Sequence, residues 1–401
     1  MGFSQGLSGL NASSQALDVV GNNIANSQTV GFKAGSIAFA DVFAGSQVGM
    51  GVQVAGVNQN FSDGVLGAGS NSLDMGIQGN GFFRLTNAAG RVMYSRNGQF
   101  KTDENGYVIN NQGMNLTGYK ATGTPPAIQP GATVEAIQIP QGQMAARASD
   151  AGTITGNLSA MNSVVEKTPF DPADDKTYTY STMVNAYDSL GNEHAVTVYF
   201  AKNGSNSWSA YAKDTTAPAD SAPQKLDLVF NSSGALTTPT ADLQVQSASF
   251  NGADPLNFAL DLSGLTQQSS DNAMDSPSTT GYPPGLMNGY TVGNSGEIIA
   301  SYSNGEQQLV GQVVLSNFTN PGGLSSEGNN CWSETPESGQ PVVGVAGTGN
   351  LGTLNGTMLE ASNVDLSKEM VNLIVYQRNY QSNSQTIKTQ SEILQTLVNL
   401  G

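Results

Sequence analysis

Charge is scarce in this sequence: Asp, Glu, Lys and Arg make up only 11% of its 401 residues, about half the usual share. Its surface must therefore be covered by neutral polar groups, which cost less to desolvate than lysine- or glutamate-rich ones and suit wet contacts between subunits. Bases are scarcer still, 15 against 31 acids, for a net charge of −16. A chain this acidic is repelled by phosphate backbones and anionic lipid, which excludes nucleic acid and membrane surfaces as partners. The single cysteine, Cys331, excludes an internal disulfide. No apolar run reaches membrane-spanning length, and no basic-flanked apolar stretch marks a cleaved secretory leader. Taken alone, that N-terminus points to the cytoplasm.

What is abundant is glycine, 48 residues, with Asn, Gln, Ser and Thr. Asn-Gly occurs eight times, at Asn80, Asn97, Asn105, Asn203, Asn251, Asn288, Asn304 and Asn355, and Asn-Gly suits the tight turns of hairpins. Between these lie short alternating segments such as 195–200 and 309–315, so the interior reads as strands of sandwiches or barrels. Pro/Gly-rich breaks near 125–130 and 283–285 bracket a central block, with 217–223 a loop inside it.

The two ends have another period. Phe3, Leu10, Leu17 and Ile24 recur every seven residues, with Leu7 interleaved; Leu373, Tyr380, Ile387 and Leu394 do the same near the C-terminus, widened by Met370, Tyr376, Leu397 and Val398. Heptad stripes are the pattern of helices that bury a seam against other helices. Ser362 with Asp365 three residues on resembles a capping box for the second helix. Gly2, Gly6, Gly9 and Gly21 weaken the first helix by roughly 0.5–1 kcal/mol each, so both ends are expected to order only when a partner covers the seam. The ends are also nearly neutral: residues 1–31 carry only Asp18, and 362–401 carry three acids and three bases.

The fold class expected is mainly β, with nested β domains and long helical termini forming a coiled-coil-like inner domain. The layout is 1–30 with 363–401 as the helical domain and 31–72 with 350–362 as a connector. An inner β domain follows, 73–144 with 285–349, and 145–284 forms an outer one. The loop-like, Gly/Ser-rich 43–73 is expected to set the connector's stiffness.

Catalysis finds no foothold. Gly2-Phe-Ser4-Gln-Gly6 matches a nucleophile elbow, but no strand can precede Ser4. Gly347-Thr-Gly349-Asn-Leu-Gly352 matches a dinucleotide fingerprint, but Thr353-Leu-Asn-Gly356 breaks the helix that should follow. The only histidine, His194, is expected at the surface, and Asp171, Asp174 and Asp175 as a solvated acidic turn lacking the calcium-loop glycine. Cys331 beside Trp332 reads as a small core residue. Neither metal nor cofactor is expected. A secreted hydrolase would need a base beyond His194; an adhesin-like β protein would not need matched heptads at both ends.

The stretch Gly21-Asn22-Asn23-Ile24-Ala25-Asn26, with Thr29 and Gly31-Phe32-Lys33, resembles the N-terminal signature of the flagellar rod and hook proteins. Residues 360–367, 377–381 and 394–397 resemble the matching C-terminal signature, and Gly79-Asn-Gly-Phe-Phe83 with Tyr94-Ser-Arg-Asn-Gly-Gln-Phe100 the family's first β segment. The central block and 296–324 look like the hook branch of that family rather than the distal rod. The resemblance implies a structural subunit that assembles with itself into a curved tube, helices lining a channel and β domains outside, and that transmits torque as a flexible joint. It also implies export by the flagellum's own apparatus without a cleaved signal, an extracellular location, and contacts with rod, hook-cap and hook–filament junction proteins. The self-assembly seam read from the heptad stripes is Phe3, Leu7, Leu10, Leu17, Ile24, Met370, Leu373, Tyr380, Ile387 and Leu394.

Overall fold

A computed structural model describes residues 2–42, 49, 51–129, 131–216, 222–239 and 241–400, the last four as helical backbone without side chains. Most of 43–50, part of the 217–223 loop, Pro130, and the side chains of Leu397 and Val398 lie outside the described residues.

Helix α1 spans Gly2–Ala25 and helix α2 spans Leu366–Leu400. The start of α2 corrects the capping expectation. Asp365, not Ser362, is the cap: its Oδ1 accepts from the backbone of Ser367 and Lys368 at 3.0 and 3.1 Å, satisfying two of the four free N–H groups of a first turn. The helices run antiparallel, since a methyl added at Gly6 would lie 3.1 Å from Ile387 and one at Gly9 2.8 Å from Asn383. The ends thus find their first partner in each other.

After α1, strand β1 (Gly35–Asp41) pairs antiparallel with β2 (Val52–Gln59), bulged at Ala38/Phe39. The 43–73 segment is therefore not simply a loop: it holds β2 and a short β3 (Leu66–Ala68). The outgoing chain is stitched to the returning one, β3 to Met358–Glu360 and β4 (Met75–Gln78) to Thr353–Gly356. Beyond lies a 13-stranded sheet whose long strand Gln307–Asn317 pairs with strands from both halves of the chain. Its core includes Phe82, Tyr94, Phe318 and Trp332, stacked edge to face at 4.7–6.0 Å, the favoured aromatic geometry.

The chain divides into two compact units. One comprises Met1–Gln141, Gly289–Ser301 and Gln307–Gly401, the other Gly142–Asn288 and Tyr302–Glu306. The second is built on a five-stranded antiparallel sheet, with Trp208 fully buried and its Nε1 donating to Gln267 at 2.8 Å. Asn-Gly makes some of the expected turns: Asn251 and Gly252 both have positive φ, 48° and 83°, as a primed turn requires. Asn288-Gly289 and Asn355-Gly356 instead lie inside strands, where cross-strand pairing overrides turn propensity.

His194 is not at the surface. It sits on an inward position of the strand Glu193–Gly204, 1% exposed, with Nδ1 2.5 Å from Asp214 Oδ2 and Nε2 3.3 Å from Asp188 Oδ2. Burial pushes both carboxyls up, but hydrogen bonds outweigh it and hold each below the ordinary carboxylate value. For Asp214 these come from Ser247, His194 and the Thr216 backbone; for Asp188 they come from Asn192, His194 and the Leu190 backbone. With folded-state pKa values below the unfolded ones, the unfolded chain binds more protons in acid. This stabilisation is whole above roughly pH 4 and lost as pH falls through the lowered values. The denaturation midpoint of the second unit is expected to fall from pH 5 to pH 3, and Asp214→Asn to flatten that slope.

Candidate assembly site

Where the helices meet the β body, residues from three distant stretches converge on Glu360. Its Oε1 accepts from Lys33 Nζ at 2.7 Å and from the Gly64 backbone at 2.8 Å, and its Oε2 from Arg96 at 3.1 Å. Lys33, Arg96 and Glu360 are all fully buried. Lys33 also donates to Ser62 O at 2.7 Å and Arg96 to Gly79 O at 2.7 Å, and the Arg96 guanidinium stands 3.6 Å from the Asp63 carboxylate as a looser ion pair. Burial, and then the neighbouring Arg96 charge, hold the Lys33 ammonium below its ordinary value, with Glu360 opposing both. Two cations against one fully buried carboxylate and one half-exposed one make a site that tolerates no loss of an acid.

The signature residues hold this junction. Asn23 exchanges two hydrogen bonds with the backbone of Gly35, 2.8 and 2.9 Å, fixing the exit of α1 on β1. Asn363 accepts from Ala34 N at 2.8 Å and donates to Asn60 O at 2.7 Å. Thr29 donates to Asn26 Oδ1 at 3.1 Å. Gly31 donates its N–H to Glu360 O at 2.8 Å at φ 69°, and a Cβ there would lie 2.6 Å from the Arg96 carbonyl carbon. A side chain at 31 would meet both left-handed strain and that backbone. Gly21, Asn22 and Ala25 are exposed; Ile24 and Phe32 are half-buried.

The helix pair does not bury the expected seam within one chain. Its closely packed stripe on α1 is Gly6, Gly9, Ser13, Ala16, Val20 and Asn23, heptad-spaced but one position off Leu7, Leu10, Leu17 and Ile24. Small residues won because they let the backbones approach, as the close contacts at Gly6 and Gly9 require. Among the expected seam residues, Ile387 packs on Gly6 and Leu373 is half-buried; Leu10, Leu17 and Ile24 are half-buried, while Phe3, Leu7, Met370, Tyr380 and Leu394 are exposed. With them, Val371, Ile374 and Val375 leave a run of exposed apolar side chains along α2. Tyr376 is covered by Phe39 of β1, rings 6.4 Å apart. The signal for the buried stripe was present as small residues at spacings of three and four, but hydrophobicity does not mark it.

Of the other candidates, Asp174 pairs with Lys167 at 2.8 Å and caps a single 3₁₀ turn. Cys331 is buried, and burial pushes its thiol up. Among the described residues no group of three or more His, Cys, Asp or Glu is placed to hold a metal, and no helix is long and apolar enough to cross a membrane.

Paired terminal helices clamped by this junction to the β strands of their own unit define the flagellar rod and hook class. Family models match in chain order: flagella basal body rod protein over 5–33, flagellar hook protein FlgE/F/G D1 domain over 76–156, flagellar basal body protein FlaE D2 domain over 157–282, and flagellar basal body rod FlgEFG protein C-terminal over 356–400. The chain is 49% identical over 401 residues to the flagellar hook protein FlgE of Escherichia coli (strain K12), covering 100% of both. It is 31% identical over 439 residues to that of Borreliella burgdorferi, covering 98% of both. A crystal structure of Helicobacter pylori flagellar hook protein FlgE2 shares the fold at a TM-score of 0.56 and 16% identity, over 74% of this chain and 100% of that one. The chain belongs to the flagellar hook protein family and is a structural component of the flagellum.

Proposed function

We propose that this hook subunit polymerises through its terminal helices into a curved, flexible tube that transmits torque as a universal joint. The observation that carries the reading is the row of exposed apolar residues on α2, Met370, Val371, Ile374 and Val375. An unpartnered apolar run of this kind marks an interaction surface, and a contact that repeats head to tail without closing propagates as a helical array. Each side chain fully covered by a neighbour contributes about 1.5–3 kcal/mol before ordering costs. In this reading 1–30 with 363–401 line the tube, 31–72 with 350–362 connect, and the β units form outer layers. Their neutral polar surfaces allow neighbouring copies to slide as the tube bends, water replacing each hydrogen bond given up.

No catalytic role is assigned. The chain acts outside the cell, exported by the flagellar apparatus without a cleaved leader, and meets rod, cap and junction proteins at the two ends of the tube. Electron microscopy of the concentrated chain tests the reading: tubes or curved fibres are expected, and dispersed monomers at every concentration would overturn it.

A further inference from the structure

Two charges on the helix pair have no local counter-ion. Asp18 is the only charged side chain in residues 1–32. On α2, Lys368 has Asp365 and Glu369 within four residues and Lys388 has Glu392, but Arg378 has no acid within that distance. Both Asp18 and Arg378 are exposed, and neither belongs to an ion pair among the described residues. The antiparallel register set by Gly6 on Ile387 and Gly9 on Asn383 puts Asp18 level with residues 374–375 of α2. The two ions therefore stand within about one helical turn, roughly 5 Å, of the same height along the pair.

Arg378 is not separable from the apolar row. Val371, Ile374 and Val375 precede it by seven, four and three residues, on the same helical face, so a neighbour that covers them covers Arg378 as well. A guanidinium taken out of water without a partner costs several kcal/mol. Asp18 lies on the opposite kind of surface, among exposed Asn11, Gln15, Gly21 and Asn22, which is cheap to desolvate and leaves its carboxylate as the one charge present. We propose that Arg378 of one copy pairs with Asp18 of a neighbouring copy, laying the apolar face of α2 on the outer face of the next α1, and that this pair sets the register between copies. The contact joins two different patches of one chain, as a non-closing interface requires. An interfacial ion pair of this kind selects register and partner more than it adds affinity.

The inference rests on the polymerising reading, and the test separates the two. Full-length Asp18→Arg, Arg378→Asp, the double variant Asp18→Arg/Arg378→Asp and Ile374→Asp are compared by polymer yield in sedimentation and electron microscopy. Thermal unfolding of the soluble chains shows that the β units are intact. Each single reversal is expected to lower polymer yield at least tenfold at low salt, and the double variant to return it to within about twofold of the parent. Single variants that assemble like the parent, or a double variant no better than either single, would overturn the pairing. If Ile374→Asp alone fails to assemble, the helical reading stands without the pair; if Ile374→Asp assembles normally, the helical reading falls and takes the pair with it.

Discussion

Glu360→Gln is expected to destabilise the first unit by about 3–5 kcal/mol, the range for breaking a buried ion pair by removing one partner. The carboxylate is 1% exposed and bonds to both Lys33 and Arg96. Glutamine keeps the shape but leaves two buried cations whose remaining acid is the half-exposed Asp63, 3.6 Å from Arg96. The loss is read as a lower denaturant midpoint with an unchanged slope. Lys33→Met added to Glu360→Gln should recover part of it, because the second change removes a charge that the first left uncompensated. A loss below about 1 kcal/mol would mean that water reaches this junction and that the signature residues are held by backbone bonds alone.

Ile374→Asp carries the second large effect, on assembly rather than on folding. Ile374 is 50% exposed in the single chain, so its replacement should leave the melting of both units within about 0.5 kcal/mol of the parent, as for most surface changes. In a polymer it would place a carboxylate where the next copy's helix is to lie. Losing an apolar contact and desolvating that charge together cost at least about 3 kcal/mol, a rise of roughly a hundredfold in the concentration needed to polymerise. Ile387→Asp is the less informative variant. Ile387 packs on Gly6 of the same chain, so its loss would loosen the helix pair before any neighbour is involved.

Much of the architecture was legible because its signals are local. Heptad stripes marked both terminal helices, and short alternating runs marked the β body. Matched signatures at the two ends implied an outgoing and a returning chain, which meet as β3 and β4 on Met358–Glu360 and Thr353–Gly356. What escaped was set by partners far away in sequence. Lys33 and Glu360 are 327 residues apart and Arg96 and Glu360 264, and no spacing rule brings them together. His194 was misplaced for a different reason: its alternation in the strand allowed an inward position, but only Asp188 and Asp214, six and twenty residues away, make a buried imidazole tolerable. The close-packed face of α1 was missed because Gly6, Gly9 and Ser13 look like weak helix formers. Their small size, which counts against them in an isolated helix, is what lets α2 approach.

The central claim is that the exposed apolar face of α2 becomes an interface between copies. Met370, 50% exposed in the single chain, reports on it directly, because a thioether oxidises to its sulfoxide where solvent can reach it. Dilute peroxide applied to unpolymerised and polymerised protein, followed by peptide mass spectrometry, should show Met370 oxidised at least tenfold more slowly in the polymer, while the exposed Met161 and Met183 of the second unit serve as references. Equal oxidation of Met370 in the two states would contradict the claim and move the interface elsewhere on the chain.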